Sequence, residues 1–66
     1  MDVTVEVVGE DVHDLTMAGD ATYADLLAAV DLSPQEASVL VDGQPVPEDA
    51  PVEAEHVTVL RLVKGG

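Results

Sequence analysis

Apolar and polar side chains alternate along the first third of the chain. Residues 2–8 place valines at every second position among polar residues, a period-two pattern that predicts a half-buried strand. After the polar segment Gly9-Glu10-Asp11, residues 12–18 alternate again, with Leu15 and Met17 on one face. The two segments therefore predict a β-hairpin.

A different spacing follows the hairpin. Thr22 is a good N-cap, and Asp25 three residues later gives an acidic variant of the capping box. The next apolar residues recur at the helical spacing i, i+3, i+4 and i+7, and they are Tyr23, Leu26, Leu27 and Val30. We expect one helix over about residues 23–30, and Ser33-Pro34 either stops it or starts a short turn of its own.

The second half of the chain returns to strands. Residues 37–41 predict a third strand, and Asp42-Gly43 is a strong tight-turn signal. Two prolines confine residues 44–48 to an irregular or edge segment. Residues 56–63 predict the last and longest strand. The order strand, strand, helix, strand, strand predicts an α+β fold, with one helix packed across one sheet in a domain spanning residues 1–63.

Composition limits what such a domain does. The chain has 66 residues, enough for one small domain, and its core must be aliphatic because it has one Tyr and no Trp or Phe. It has no Cys, Ser33 and Ser38 lack a glycine elbow, and His13 and His56 show no metal-ligand spacing. We therefore expect no catalytic residues, no metal site and no enzyme activity.

The charge balance is strongly acidic. Fourteen acidic residues face two basic ones, for a formal net charge of −12. Such a surface repels phosphate backbones and anionic lipids, so we expect direct contact with neither nucleic acid nor membrane. The acids are spread along the whole chain, which predicts adaptation to concentrated salt. No signal peptide precedes the first strand pattern, and we expect a cytoplasmic protein.

The ending of the chain is its most specific motif. The ββαββ order, the turn Val41-Asp42-Gly43-Gln44-Pro45-Val46 and the ending Leu60-Arg61-Leu62-Val63-Lys64-Gly65-Gly66 resemble the β-grasp ubiquitin-like proteins. Among these, the chain is most similar to the small archaeal modifier proteins, and less similar to the sulfur-carrier subunits of molybdopterin and thiamine biosynthesis. The resemblance covers nearly the whole chain. It implies a mixed sheet in which the first and last strands lie side by side and parallel, followed by a flexible tail at residues 64–66.

The same resemblance implies chemistry at the Gly66 carboxylate. An E1-like activating enzyme would adenylate it with ATP, so the chain itself needs no cofactor. The product would be joined to lysines of target proteins by isopeptide bonds, or converted to a thiocarboxylate for sulfur transfer, as in tRNA thiolation. Gly65-Gly66 suits a narrow enzyme channel because glycine has no Cβ.

Other implied partners are a desampylating metalloprotease and the enzymes of tRNA thiolation, and we expect the protein itself to be a monomer. Two other functions stay open on the sequence. The chain resembles a dedicated sulfur carrier for molybdopterin synthesis as well, and a β-grasp domain can also bind partners without any covalent step.

Three leucines beside the tail form a candidate docking surface. Alternation places Leu40, Leu60 and Leu62 on the sheet face away from the helix, and the corresponding strand faces of ubiquitin-like proteins contact partners. The alternative is that they are ordinary scattered surface leucines.

The two basic residues, Arg61 and Lys64, also flank the tail. We expect them to contact acidic groups of the activating enzyme, although a solvated strand end is the plainer interpretation. Lys64 is the only lysine. If the protein forms chains on itself, only Lys64 or the Met1 amine can accept the next copy.

Overall fold

Five strands and one helix succeed one another in residues 1–62, the part of the chain that the computed structural model describes. Their bounds are β1 Asp2–Val7, β2 Val12–Thr16, α1 Tyr23–Ala29, β3 Ala37–Val41, β4 Gln44–Pro45 and β5 His56–Arg61. The predicted order strand, strand, helix, strand, strand is confirmed, and β4 is an additional two-residue strand within the segment 44–48 predicted to be irregular or an edge. The last strand ends at Arg61, before the predicted end at residue 63, and with six residues it is as long as β1 and not the longest strand. Val63 and the predicted tail at residues 64–66 lie outside the described residues.

The strands form one mixed sheet in the order β2-β1-β5-β3-β4. β1 and β5 are parallel neighbours in its middle, with Val5 opposite Val57 and Val7 opposite Val59. The other pairs, β1–β2, β3–β4 and β3–β5, are antiparallel. A parallel pair needs a long crossover connection, and here β2, α1, β3 and β4 all lie between β1 and β5 along the chain. The topology implied by the family resemblance is therefore confirmed.

The predicted β1–β2 hairpin is present, and its strands are shorter than predicted. Pairing runs from Asp2 opposite Thr16 to Glu6 opposite Val12. Beyond Val7 the chain turns through Gly9, whose φ of 78° lies in the left-handed region that favours glycine. The turn stops the strand one residue before the predicted end at residue 8, and β2 ends two residues before residue 18.

The capping box that the sequence predicts starts the helix. The Asp25 N–H donates to Thr22 Oγ1 at 3.3 Å, and the Thr22 N–H donates to Asp25 Oδ2 at 3.0 Å. The helix ends at Ala29, one residue earlier than predicted, because Asp31 adopts a positive φ of 61° just beyond the C-cap. No helix within residues 1–62 is long and apolar enough to cross a membrane.

The core lies between α1 and one face of the sheet. Its buried members are almost all aliphatic, as the composition requires, and they are Val3, Val5, Val7, Tyr23, Leu26, Leu27, Ala37, Val39, Val52, Val57 and Val59. Seven of them come from β1, β3 and β5 at alternate positions, which confirms the predicted inward faces of these strands.

Prolines keep β4 short at the edge of the sheet. The turn that joins β3 to β4 has positive φ at both Asp42 and Gly43, 53° and 79°, as a tight hairpin turn requires. Pairing then covers only Leu40 with Pro45 and Val41 with Gln44. Proline has no N–H to continue a ladder, so the predicted edge segment is confirmed and stays two residues long.

Candidate functional site

The candidate site is the end of β5, where the chain leaves the sheet toward its C-terminus. β5 is the central strand, held by β1 on one side and β3 on the other. The Leu62 N–H donates to the Glu36 carbonyl at 2.8 Å, so the backbone is anchored one residue past the strand. Lys64, Gly65 and Gly66, the residues expected to carry the chemistry, lie outside the described residues.

Leucines of the predicted docking surface lie next to this exit. Leu60 is 43% exposed and Leu62 is 50% exposed, although both are large apolar residues. Leu40 is only half-buried and lies on β3 opposite Thr58, one step along the sheet from Leu60. Leu60 and Leu62 thus lie at the end of β5, whereas Leu40 lies two residues further back along the sheet and contributes the least exposed surface.

A fourth apolar residue, Val8, joins them. Its N–H donates to the Val59 carbonyl at 2.9 Å, which continues the β1–β5 register by one residue and sets Val8 beside Leu60. Val8 is 47% exposed. We call Val8, Leu60 and Leu62 the outer-face patch. Sequence analysis missed Val8. The alternation along β1 could have placed it, because the even-numbered residues of this strand point away from the core.

Arg61 is placed beside the exit, as predicted, but it already has an acidic partner. Its Nη1 donates to Glu10 Oε2 at 2.8 Å, and both side chains are about half exposed. The hydrogen bond to Glu10, and then the charge of Glu10, raise the pKa of Arg61 above its ordinary value. The contact ties the β1–β2 loop to the end of β5. No local sequence signal could have found it, because the two residues are 51 positions apart.

A polar cleft lies next to the same exit. Its volume is about 260 Å³, and its lining residues are Ser33, Gln35, Glu36, Arg61 and Leu62. The end of β5 is therefore flanked by the apolar outer-face patch on one side and by this polar cleft on the other. A partner that grips the end of β5 meets both kinds of surface.

The rest of the described chain offers little reactive chemistry. Residues 1–62 bury no polar or charged side chain, and they hold no group of three or more potential metal ligands. His56 Nε2 lies 3.8 Å from Glu6 Oε1 on the exposed outer face, and His13 is half-buried on β2. The two histidines share no site with each other.

Comparisons with known proteins agree with this architecture. The model of the family described as small archaeal modifier protein 2 matches residues 1–63. The curated small archaeal modifier protein 2 of Haloferax volcanii, a halophile, is 64% identical over 66 residues, which is 100% of both chains. The acidic composition had predicted salt adaptation, and this relative fits that prediction.

Two solved structures are also similar. The crystal structure of the H. volcanii small archaeal modifier protein 2 superposes with a TM-score of 0.76 at 62% identity, covering 97% of each chain. A solution structure of a computationally designed protein based on human erythrocytic ubiquitin gives a TM-score of 0.75 at 16% identity, over 98% of this chain and 95% of that one. The second similarity shows the fold alone, which is the ubiquitin-like β-grasp.

Proposed function

The chain belongs to the small archaeal modifier protein 2 family of ubiquitin-like modifiers, and from this we propose that its Gly66 carboxylate is the group that reacts. An E1-like enzyme activates it, and the chain serves as substrate and carrier rather than as a catalyst. The observation that carries the proposal is the diglycine ending, which follows directly on a β-grasp domain. We place the protein in the cytoplasm, where ATP is available to that enzyme.

The reaction needs a leaving group, because a carboxylate at neutral pH is a poor electrophile. A carboxylate oxygen of Gly66 attacks the α-phosphate of ATP, and pyrophosphate leaves. A lysine amine of a target then attacks the acyl adenylate, AMP leaves, and the amine loses a proton to give an isopeptide bond. A sulfide-equivalent nucleophile supplied by a partner enzyme displaces AMP in the same way and gives a thiocarboxylate, the form used for tRNA thiolation.

The fold supports this role by presenting the chain end from a fixed point. Leu62 is anchored to Glu36, and Arg61 is tied to Glu10, so the last described residues are held from both sides. The outer-face patch supplies an apolar surface for the activating enzyme beside that point. Beyond it, Gly65-Gly66 have no Cβ atoms to obstruct a narrow channel.

Mass spectrometry of the protein purified from its host tests the proposal. We expect a fraction of the free chain to have the mass of a thiocarboxylate, with sulfur in place of one oxygen. A further fraction should be found at higher mass, joined to other proteins. A chain lacking Gly66 should show neither form, because its new terminus is one residue short of the activated position. A metalloprotease that recycles the tail should return conjugates to the free, unmodified mass.

The outcomes also separate the alternative functions. A thiocarboxylate without any conjugates would indicate a dedicated sulfur carrier, for example for molybdopterin synthesis. Conjugates that persist after Gly66 is deleted would contradict the proposal. Absence of both forms in the wild-type protein would favour a β-grasp domain that binds its partners non-covalently.

A further inference from the structure

A second cleft lies away from the end of β5, along the edge of the sheet that β4 only partly covers. Its volume is about 200 Å³. Its walls include Leu27, Pro34, Val39, Pro45, Val46 and Glu48. Most of these side chains are apolar, and Glu48 is the charged residue among them.

The cleft exists because β4 is too short to cover β3. Pairing between the two strands ends with Leu40 opposite Pro45, and one last bond joins the Val46 N–H to the Val39 carbonyl at 3.0 Å. After Val46 the chain meets Pro47 and turns away from the sheet. Along the first half of β3, from Ala37 to Val39, no strand pairs on that side.

Two backbone groups of β3 point toward the β4 side of the sheet and have no backbone hydrogen-bond partner there among residues 1–62. The Leu62 N–H donates to the Glu36 carbonyl, so the backbone groups of Glu36 point toward β5. Backbone groups alternate in direction along a strand, so those of Ser38 and Leu40 also point toward β5, and those of Ala37, Val39 and Val41 point toward β4. The Ala37 N–H donates to the Ser33 carbonyl at 3.1 Å, and the Val39 carbonyl is used by Val46. Within residues 1–62, the Ala37 carbonyl and the Val39 N–H form no backbone hydrogen bond.

These two groups belong to buried residues. Ala37 is 3% exposed and Val39 is 4% exposed. Backbone groups in such positions are nearly always paired, and a free acceptor followed two residues later by a free donor matches the hydrogen-bonding pattern of an extended strand. The cleft therefore presents a short strand position without a strand partner, lined by both apolar and polar surface.

We propose that this β3-edge cleft binds an extended peptide segment of a partner protein by strand addition. The peptide backbone donates to the Ala37 carbonyl and accepts from the Val39 N–H, and a small apolar side chain packs against Leu27 and Val46. A lysine or arginine of the peptide pairs with Glu48, whose backbone carbonyl is held by the Ala24 N–H at 2.8 Å.

Charge selects the occupant. Glu48 lines the cleft and favours a basic peptide, and this chain carries only two basic residues, Arg61 and Lys64, so the peptide comes from a different protein. The cleft uses none of the residues at the end of β5. A partner bound here leaves the end of β5 uncovered, so we expect this binding to be independent of the proposed covalent chemistry.

A blocked tetrapeptide, Arg-Val-Val-Arg, titrated into the full ¹⁵N-labelled chain tests the proposal. We expect the largest amide shift at Val39, moving downfield as its N–H gains an acceptor, with smaller shifts at Ala37, Ser38 and Val46. The same peptide with every backbone nitrogen methylated cannot donate to the Ala37 carbonyl and should produce at most a small fraction of these shifts. Shifts centred on the outer-face patch, or no shifts at all, would overturn the proposal.

The contribution of Glu48 is measured with matched variants. Glu48→Gln should weaken the peptide about two- to fivefold, the range for one exposed ion pair, at the lowest salt that keeps the chain folded. Glu53→Gln makes the same change in net charge on another exposed loop residue and should leave the affinity unchanged. Equal weakening by both variants would mean non-specific attraction to the acidic surface, and would contradict a built site.

Discussion

Glu10 and Arg61 show how a side chain beside the exit is already engaged by the fold. Their ion pair, 2.8 Å long, spans the β1–β2 loop and the end of β5. An acidic group of an activating enzyme must therefore compete with Glu10 for this guanidinium. Because both side chains are about half exposed, concentrated salt screens the pair and makes the exchange easier.

The Met1 amine bears on how chains of this protein can form. Its ammonium donates to the Met17 carbonyl at 2.7 Å, and the Met17 N–H donates back to the Met1 carbonyl at 2.7 Å. To attack an acyl adenylate, this amine must first lose a proton and turn its lone pair away from the hydrogen bond that holds it at the end of the β1–β2 ladder. Lys64 is the other candidate, and we expect it to accept the next copy.

Lys64→Arg should therefore abolish self-linked chains while leaving attachment to other proteins intact. The variant keeps a tryptic site before Gly65-Gly66, so digestion still leaves a Gly-Gly remnant on every modified target. Immunoblots of the protein measure how much of it forms self-linked chains. Mass spectrometry of the Gly-Gly remnants identifies the modified lysines of other proteins. Self-linked dimers that persist in the variant, joined through Met1, would refute this assignment.

At the scale of the elements, alternation and turn chemistry predicted the strands, the helix and its cap. The parallel placement of β1 beside β5 came only from the family resemblance, because periodicity shows which face is buried and not which strands are neighbours. The Glu10–Arg61 contact and the open edge at Val39 were missed for a related reason. Both depend on which distant segments pair, and no local pattern records that.

The capping box gives a prediction for the helix. Replacing Thr22 with Ala removes the Oγ1 acceptor of the Asp25 N–H and should cost about 1 kcal/mol of unfolding free energy. In a domain of this size, that lowers the melting temperature by about 4–8 °C. Thermal denaturation followed by circular dichroism measures it. Thr22→Ser keeps the hydroxyl and should stay close to wild type, and equal losses in the two variants would contradict a capping role.

At the scale of the whole molecule, a small aliphatic core supports a surface dominated by one sign of charge. Residues 1–62 bury no charged side chain, so the acidic residues described there lie at or near the surface and repel one another. At molar salt the Debye length falls to about 3 Å, which removes most of this repulsion. The stability of the fold should therefore depend on salt.

We expect the melting temperature to rise from dilute to molar KCl, by about 4–8 °C for each kcal/mol gained. A variant with Glu48, Glu53 and Glu55 changed to glutamine should show a smaller rise, because it carries less charge to screen. Equal melting temperatures in dilute and molar KCl would exclude salt adaptation of this surface.

The central claim is that the Gly66 carboxylate reacts and that the domain before it presents this group. The most direct test is proteomics for Gly-Gly remnants on lysines in host cells that express either the wild-type chain or a chain lacking Gly66. Trypsin cuts after Lys64, so each conjugate leaves that remnant. The account predicts remnants on target lysines with the wild-type chain and their loss with the deletion. Conjugates of the shortened chain at wild-type levels would contradict it.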